Sequence, residues 1–399
     1  MTMKNEKIKA YNVCLFFLAL VMIIACINAV DVTLDNYGKF SWYLDYSEGF
    51  LKRALPGQLL RLYYFTTNQP FTYKFVNESI QTIHIIFVVL FLCMLVSYYF
   101  LLVRKYEDKL PIISLLFGFL LSSYFVKEIF ELTGYLDIIV STLTLVSYIL
   151  YQNKSYLLSV IIISVSCFVS EISMFFWLPV IAVNIFIINA SKPKIFLLLI
   201  PILVALSIHF LSCVPESLPK MYINSDMSQG IIRYINKLFT EQRDIPSLIK
   251  DRFTIISQNI INVIIGFFYL SSVSICFYLI SIERISKFQF KSRMRKVLAI
   301  VIFSICSFAP SFLILLAVDF WRLIYFSVFS SFLVLTLIGT SINDFSVSAK
   351  FLKFILLVSF VISTFTLFSP PVVMSETKMT VKNNAIVDTI SLVLNHGTM

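Results

Sequence analysis

The stretch that decides the fold is Gln81–Val103, QTIHIIFVVLFLCMLVSYYFLLV, closed by Arg104 and Lys105. No Asp, Glu, Lys or Arg interrupts it. At 1.5 Å of rise per residue, a helix of this length reaches about 35 Å, enough to cross a hydrocarbon core of about 30 Å. Only a helix or a closed barrel satisfies its own backbone in lipid, and the run is too long for a barrel strand. Working outward, comparable apolar runs recur along the chain. The expected helices are 11–30, 81–103, 110–126, 135–151, two short spans within 156–190 turning near Ser170-Glu171, 195–213, 256–282, 297–318, 323–342 and 351–369. The fold class is therefore all-α, a polytopic membrane protein with about eleven transmembrane helices in one domain over 1–399.

The composition agrees. Hydrophobic residues make up 59% and charged residues only 14%, with 40 Phe and just 9 Gly. So little glycine makes GxxxG packing a minor theme. The seven cysteines, Cys14, Cys26, Cys93, Cys167, Cys213, Cys276 and Cys306, lie nearly all in apolar runs and suggest neither disulfides nor a metal motif. His84, His209 and His396 are widely separated and read as packing or capping residues. The net charge of +10 is split by side of the membrane, so it does not point to nucleic acid. Sixteen Lys/Arg fall in 1–10, 104–109, 152–155, 190–194, 284–296 and 343–350, which places those segments and the N-terminus in the cytoplasm. The run at 284–296 reads as a topology anchor on anionic lipid.

Three outer regions follow: a first loop at 31–80, a second at 214–255, and a tail at 375–399. The first holds Asp45-Tyr-Ser-Glu-Gly-Phe-Leu-Lys-Arg-Ala-Leu-Pro-Gly-Gln-Leu-Leu-Arg-Leu62. Proline suits the first turn of a helix but blocks its interior, so an amphipathic helix is expected to start at Pro56 within an interfacial element near 45–66. Leu51, Leu55, Leu59 and Leu62 would form the stripe on the bilayer, with Lys52 and Arg53 pointing off it and Glu48 at its edge. Trp42, Tyr43 and Tyr46 nearby fit either sugar stacking or an ordinary membrane interface.

The outer charges form three clusters: Asp31, Asp35, Asp45, Glu48, Lys52 and Arg53; Glu128, Glu131 and Asp137; and Asp319 with Arg322 at a tight turn. Glu171 joins them if the chain turns there. Arg53 with Glu131, or Arg53 with Asp319, are candidate pairs; salt bridges that only set loop geometry are the structural alternative. Sugar transfer from a polyprenyl phosphate needs a carboxylate base for the acceptor hydroxyl and cations for the leaving phosphate, and arginine is the better clamp. Arg53, helped by Lys52 and Arg322, is the expected phosphate holder. Glu48, Glu131 or Asp319 is the expected base, with Asp35, Asp45 and Asp137 placed to bind substrate. Nothing calls for a cofactor or metal, although Asp31 and Asp35 form an acidic pair that could recruit one.

The Phe/Ile/Ser-rich, Gly-poor chain with two large outer loops resembles the Wzy-type O-antigen polymerases of bacterial polysaccharide clusters. Locally, Glu48-Gly49-Phe50-Leu51-Lys52-Arg53-Ala54-Leu55-Pro56-Gly57 resembles a stretch in related cell-envelope membrane proteins. The resemblance implies polymerisation of undecaprenyl-diphosphate-linked repeat units on the periplasmic face of the inner membrane, outer-loop arginines that matter, and a chain-length regulator as partner. An Arg-x10-Gly signature seen in some such enzymes has no match in either large loop. The acidic first loop also resembles GT-C glycosyltransferases, in which Asp35 or Glu48 would be the catalytic carboxylate. A lipid-linked sugar flippase is the third reading, disfavoured by helix centres almost bare of charge.

Overall fold

A helix that is apolar on every side has nowhere stable to lie except the middle of a bundle, and Phe320–Ser341 is such a helix. Every residue from Phe326 to Thr340 is buried. The computed structural model describes residues 36–44, 53–67, 72–121, 123–131, 133–211, 260–312, 320–343, 374–375 and 378–379. Among these the helices are α1 (Asn36–Tyr43), α2 (Leu55–Thr67), α3 (Tyr73–Lys105), α4 (Leu110–Leu121), α5 (Tyr124–Glu131), α6 (Asp137–Gln152), α7 (Tyr156–Val169), α8 (Ser173–Val183), α9 (Lys192–Leu211), α10 (Ile260–Lys287), α11 (Arg293–Phe312) and α12 (Phe320–Ser341). A π-helical turn, Asn184–Ile188, extends α8. The remaining regular structure is a two-residue antiparallel pairing, Met374–Ser375 with Lys378–Met379, in the tail. Among the described residues the regular structure is thus helical apart from that pairing. Three stretches, Lys74–Lys105, Lys192–Leu211 and Arg293–Ser311, are long and apolar enough to cross a membrane.

Aromatic rings and small hydroxyls hold the bundle to α12. Phe125 stacks on Phe329 with centroids 5.0 Å apart, Phe176 meets Phe329 edge-on at 5.4 Å, and Phe117 meets Phe332 at 5.1 Å. Such pairs contribute about 0.5–1.5 kcal/mol each beyond the area they bury. Along α11 and α12, serine takes the place that glycine would have in closer-packed bundles. Ser311 and Ser327 share a hydrogen bond of 2.6 Å, Ser330 Oγ donates to the Cys306 carbonyl at 2.6 Å, and Ser331 Oγ donates to the Ser307 carbonyl at 3.1 Å. The α6–α7 contact has the same chemistry, with Ser147 and Ser159 hydroxyls 3.0 Å apart. A hydroxyl is small enough for close approach and satisfies itself on a neighbouring carbonyl, which lipid cannot offer.

Opposite this core, Ile86, Val89 and Phe100 on α3, Phe196 and Phe210 on α9, and Val297, Val301 and Ile305 on α11 are exposed. On a water-soluble protein such a surface would be a liability; around a bilayer it is the expected exterior.

The helices run back and forth between two ends. At one end lie the segments 104–109, 152–155, 189–194 and 283–296, carrying twelve Lys/Arg against three Asp/Glu. It is tied by Tyr106 Oη donating to the Thr340 carbonyl at 3.1 Å and by Gln152 Nε2 donating to Thr340 Oγ1 at 3.0 Å. Burial pushes the Tyr106 phenol up to about 12. The other end gathers α1, α2, the start of α3, α5, the 133–136 turn and the 170–172 turn.

Several expected boundaries move. The 156–190 run is two helices meeting at Ser170–Ile172, as its length required. The helix expected at 81–103 begins at Tyr73, because hydropathy reports bilayer thickness whereas a helix continues until its backbone meets a breaker. For the same reason α10 ends at Lys287 and α11 starts at Arg293, beyond their apolar runs. The expected 110–126 helix breaks after Leu121, and α5 carries the segment expected as an outer turn. Trp321 and Arg322 lie in the first turn of α12, not in a tight connecting turn. The expected helices 11–30 and 351–369 and the loop 214–255 lie outside the described residues.

In α2, Pro56, Gly57, Leu60 and Tyr64 face the protein while Leu59, Leu62, Tyr63 and Phe65 are exposed. The expected leucine stripe is therefore divided: Leu59 and Leu62 face outward, Leu55 is half-buried, and Leu51 is outside the described residues. Gly57 has the tightest fit, since a Cβ there would collide with the Leu44 carbonyl oxygen and lie 2.8 Å from that of Trp42. Gly57→Ala is expected to destabilise the purified protein by about 1–3 kcal/mol, read by thermal unfolding in detergent, whereas Leu59→Ala on the exposed face is expected to change it little.

Candidate functional site

Gly57 lets the start of α2 rest on the carbonyls that end α1. Just before it, Arg53 adopts a left-handed backbone, φ 59°. For a residue with a Cβ this costs about 1–2 kcal/mol and persists only where the surroundings enforce it. The side chain shows one such restraint. Arg53 donates to Glu171 twice, Nη2 to Oε1 at 3.1 Å and Nε to Oε2 at 3.3 Å. The two side chains are 29% and 31% exposed, so the pair is reachable from solvent. Two of the five guanidinium N–H groups serve Glu171 in this fork.

Glu171 is held by the turn between α7 and α8. Ser170 and Ser173 backbone N–H groups bond back to the Ser166 and Ser170 carbonyls, and Ser166 and Ser173 hydroxyls meet at 2.7 Å. The carboxylate thus projects from a rigid corner rather than from a long loop. At the same end Trp42 is buried, and its indole Nε1 donates to the Gly134 carbonyl at 2.6 Å. Gly134 has φ 96°, a conformation that suits glycine, and its turn leads into α6. Asp137 is the first residue of α6 and is buried, 6% exposed. A carboxylate at a helix N-terminus is favoured by the N–H groups and dipole there. His84 fixes α5 against α3, its Nε2 lying 2.9 Å from the Phe130 carbonyl. Tyr64 braces α2 against the first turns of α3, bonding Ser79 at 3.0 Å and meeting the Phe75 ring at 4.7 Å. Burial pushes the Tyr64 phenol up, and the Ser79 bond offsets part of that rise.

Of the expected site residues, the structure places Arg53 and Asp137 in full. Glu131 is the last residue of α5 and Arg322 sits in the first turn of α12, both at the same end as Arg53; their side chains lie outside the description. Asp35, Asp45, Glu48, Lys52 and Asp319 lie outside the described residues. Among the described residues Arg53 pairs with Glu171; the expected pairs with Glu131 and Asp319 rest on side chains outside the described residues. Lys39 of α1, buried at 6% exposure, is a charged residue at this end that no sequence pattern marked. Among the described residues, no group of three or more His, Cys, Asp or Glu is placed to hold a metal. Comparison with family models, curated proteins and solved structures finds no match.

Chemically, this end presents a half-exposed forked cation whose position is fixed by a carboxylate, with a buried indole and a buried acid at a helix start packed beneath the same end. A fork of this kind suits phosphate oxygens. A double-mutant cycle over Arg53→Ala and Glu171→Ala, read by thermal unfolding, is expected to give a coupling of about 0.5–1 kcal/mol, the range for a pair exposed to this degree. Strictly additive single effects would mean that the pair does not act as a unit.

Proposed function

We propose that the chain is a bacterial inner-membrane enzyme that polymerises undecaprenyl-diphosphate-linked repeat units on the periplasmic face. The observation that carries this reading is the Arg53–Glu171 fork, held at the end of the bundle opposite the basic end. The positive-inside rule puts the basic end in the cytoplasm, which puts the fork in the periplasm. About eleven spans, counting 11–30 and 351–369, give the N-terminus in the cytoplasm and the tail outside.

In this reading Arg53 donates to the diphosphate of the donor lipid, and Glu171 is its positioning residue. Lys52 and Arg322 add positive charge. The acceptor hydroxyl oxygen forms a bond to the anomeric carbon of the donor sugar as the bond from that carbon to the diphosphate oxygen breaks. The leaving diphosphate takes the electron pair, and Glu48, Glu131 or Asp319 takes the hydroxyl proton. Asp35 and Asp45 would contact sugar hydroxyls, whereas Asp137, expected with them, is buried at the start of α6. Loss of a charged clamp in such a site costs about 2.7–4 kcal/mol of transition-state stabilisation, or a hundredfold and more in rate.

A flippase would need a polar path between the two faces. Several buried hydroxyls are taken up by contacts between helices, as Ser147 is by Ser159 and Ser166 by Ser173. Asn184 likewise bonds Tyr151.

Lipopolysaccharide gels of a deletion strain carrying plasmid-borne alleles test the reading. Deletion is expected to leave core with a single repeat unit and no ladder, and the parent allele to restore the ladder. Arg53→Ala is expected to leave single units at normal protein level, and Arg53→Lys to restore short, sparse ladders. A full ladder of altered mobility in the deletion would instead indicate a GT-C transferase that decorates the repeat. Loss of all repeat units would indicate transport or assembly, and either result contradicts polymerisation.

A further inference from the structure

We infer that the starts of α9 and α11 together form a binding surface for anionic phospholipid headgroups at the basic end of the bundle. The two starts are far apart in sequence and are brought together by one residue. Arg295 Nη2 donates to the Ile185 carbonyl at 2.7 Å and to Asn189 Oδ1 at 3.1 Å. Asn189 ends the π-helical turn in a left-handed conformation, φ 54°, and the chain enters α9 three residues later at Lys192. The first turn of α11 therefore lies beside the turn that feeds α9.

Charge collects there without compensation. Lys192, Lys291 and Arg293 are exposed, and no carboxylate among the described residues pairs with any of them. The acid of this region, Glu283, is taken by Lys287 at 2.6 Å. Lys194 instead lies over the Tyr156 ring, 4.0 Å from its centroid. Lys192 and Arg293 open the first turns of their helices and Lys291 stands two residues before α11, where the helix N-termini already carry partial positive charge. Like charges at such a place repel one another, and an arriving anion relieves both sets.

The surroundings identify the anion's carrier. Along the first turns of α11, Met294, Val297, Leu298 and Val301 are exposed, and Phe196 is exposed on α9. A ligand bridging this surface needs a negative head against the cations and an apolar body along the helices. That is an anionic phospholipid; a free phosphate or a nucleic acid would have no use for the apolar half. The cations sit just beyond an apolar belt, at headgroup depth, where each Lys or Arg strengthens attraction to an anionic leaflet. This surface is distant from Arg53, and the inference stands independently of the polymerase reading.

Native mass spectrometry of the full-length protein, titrated in detergent with phosphatidylglycerol or phosphatidylcholine, tests it. The parent protein is expected to retain phosphatidylglycerol adducts several-fold over phosphatidylcholine. Lys192→Gln, Lys291→Gln and Arg293→Gln are each expected to weaken phosphatidylglycerol retention about fivefold. Lys74→Gln, at the opposite end, is expected to leave it unchanged. Equal retention of the two lipids by the parent protein would overturn the inference without recourse to any variant. So would parent-like retention in all three variants, or an equal loss in Lys74→Gln.

Discussion

The fold depends on the need to satisfy a fully enclosed helix, α12, without help from solvent. No side of it faces lipid between Phe326 and Thr340, so every neighbour must offer it either a ring or a hydrogen bond. Phe125 and Phe176 supply rings from α5 and α8, and Phe117 supplies one from α4. Carbonyls of α11 accept from Ser330 and Ser331. Once α12 is enclosed, the remaining helices have one side committed and one left for lipid. This explains why α3, α9 and α11 are exposed and apolar on their other faces.

The candidate site is a consequence of chain crossings at one end of that bundle. Two glycines make it possible for different reasons: Gly57 because a carbonyl occupies the place of its side chain, and Gly134 because of its backbone conformation. Between these fixed points Trp42 spans to the Gly134 turn, and Arg53 reaches the rigid corner that carries Glu171. An arginine in a strained backbone conformation, held by a fork to a carboxylate, is pre-positioned. Its geometry does not have to be assembled when an anion arrives, which is the property that makes a phosphate clamp effective.

The apolar runs made the existence of the helices legible, and three of them, Lys74–Lys105, Lys192–Leu211 and Arg293–Ser311, are long and apolar enough to cross a membrane. Their ends were less legible: α3 starts eight residues before its expected boundary since nothing in Tyr73–Ile80 breaks a helix. The corner at Ser170–Ile172 could be read because 156–190 was too long for one short span and too apolar for a loop. The identity of Arg53 as a residue of interest was legible from the rarity of charge. Glu171 was legible as a member of the same outer cluster if the chain turned there, but its pairing with Arg53 was not, since the two are 118 residues apart and one sequence carries no signal for such a pairing. Lys39 and the Arg295–Asn189 contact were hidden for the same reason. In α2 the leucine spacing read as one bilayer stripe, but the opposite face carries Leu60 and Tyr64 toward the protein, so amphipathicity alone did not assign the sides.

The two ends of the bundle give the account its functional sense, since catalysis on a periplasmic lipid-linked glycan requires Arg53 outside. The most direct test is accessibility labelling of single cysteines introduced into a cysteine-free parent protein in intact cells, using a membrane-impermeant maleimide. Thr66→Cys on the exposed end of α2 is predicted to label in intact cells, and Lys291→Cys only after permeabilisation. The reverse pattern would put the Arg53–Glu171 fork in the cytoplasm and contradict the account.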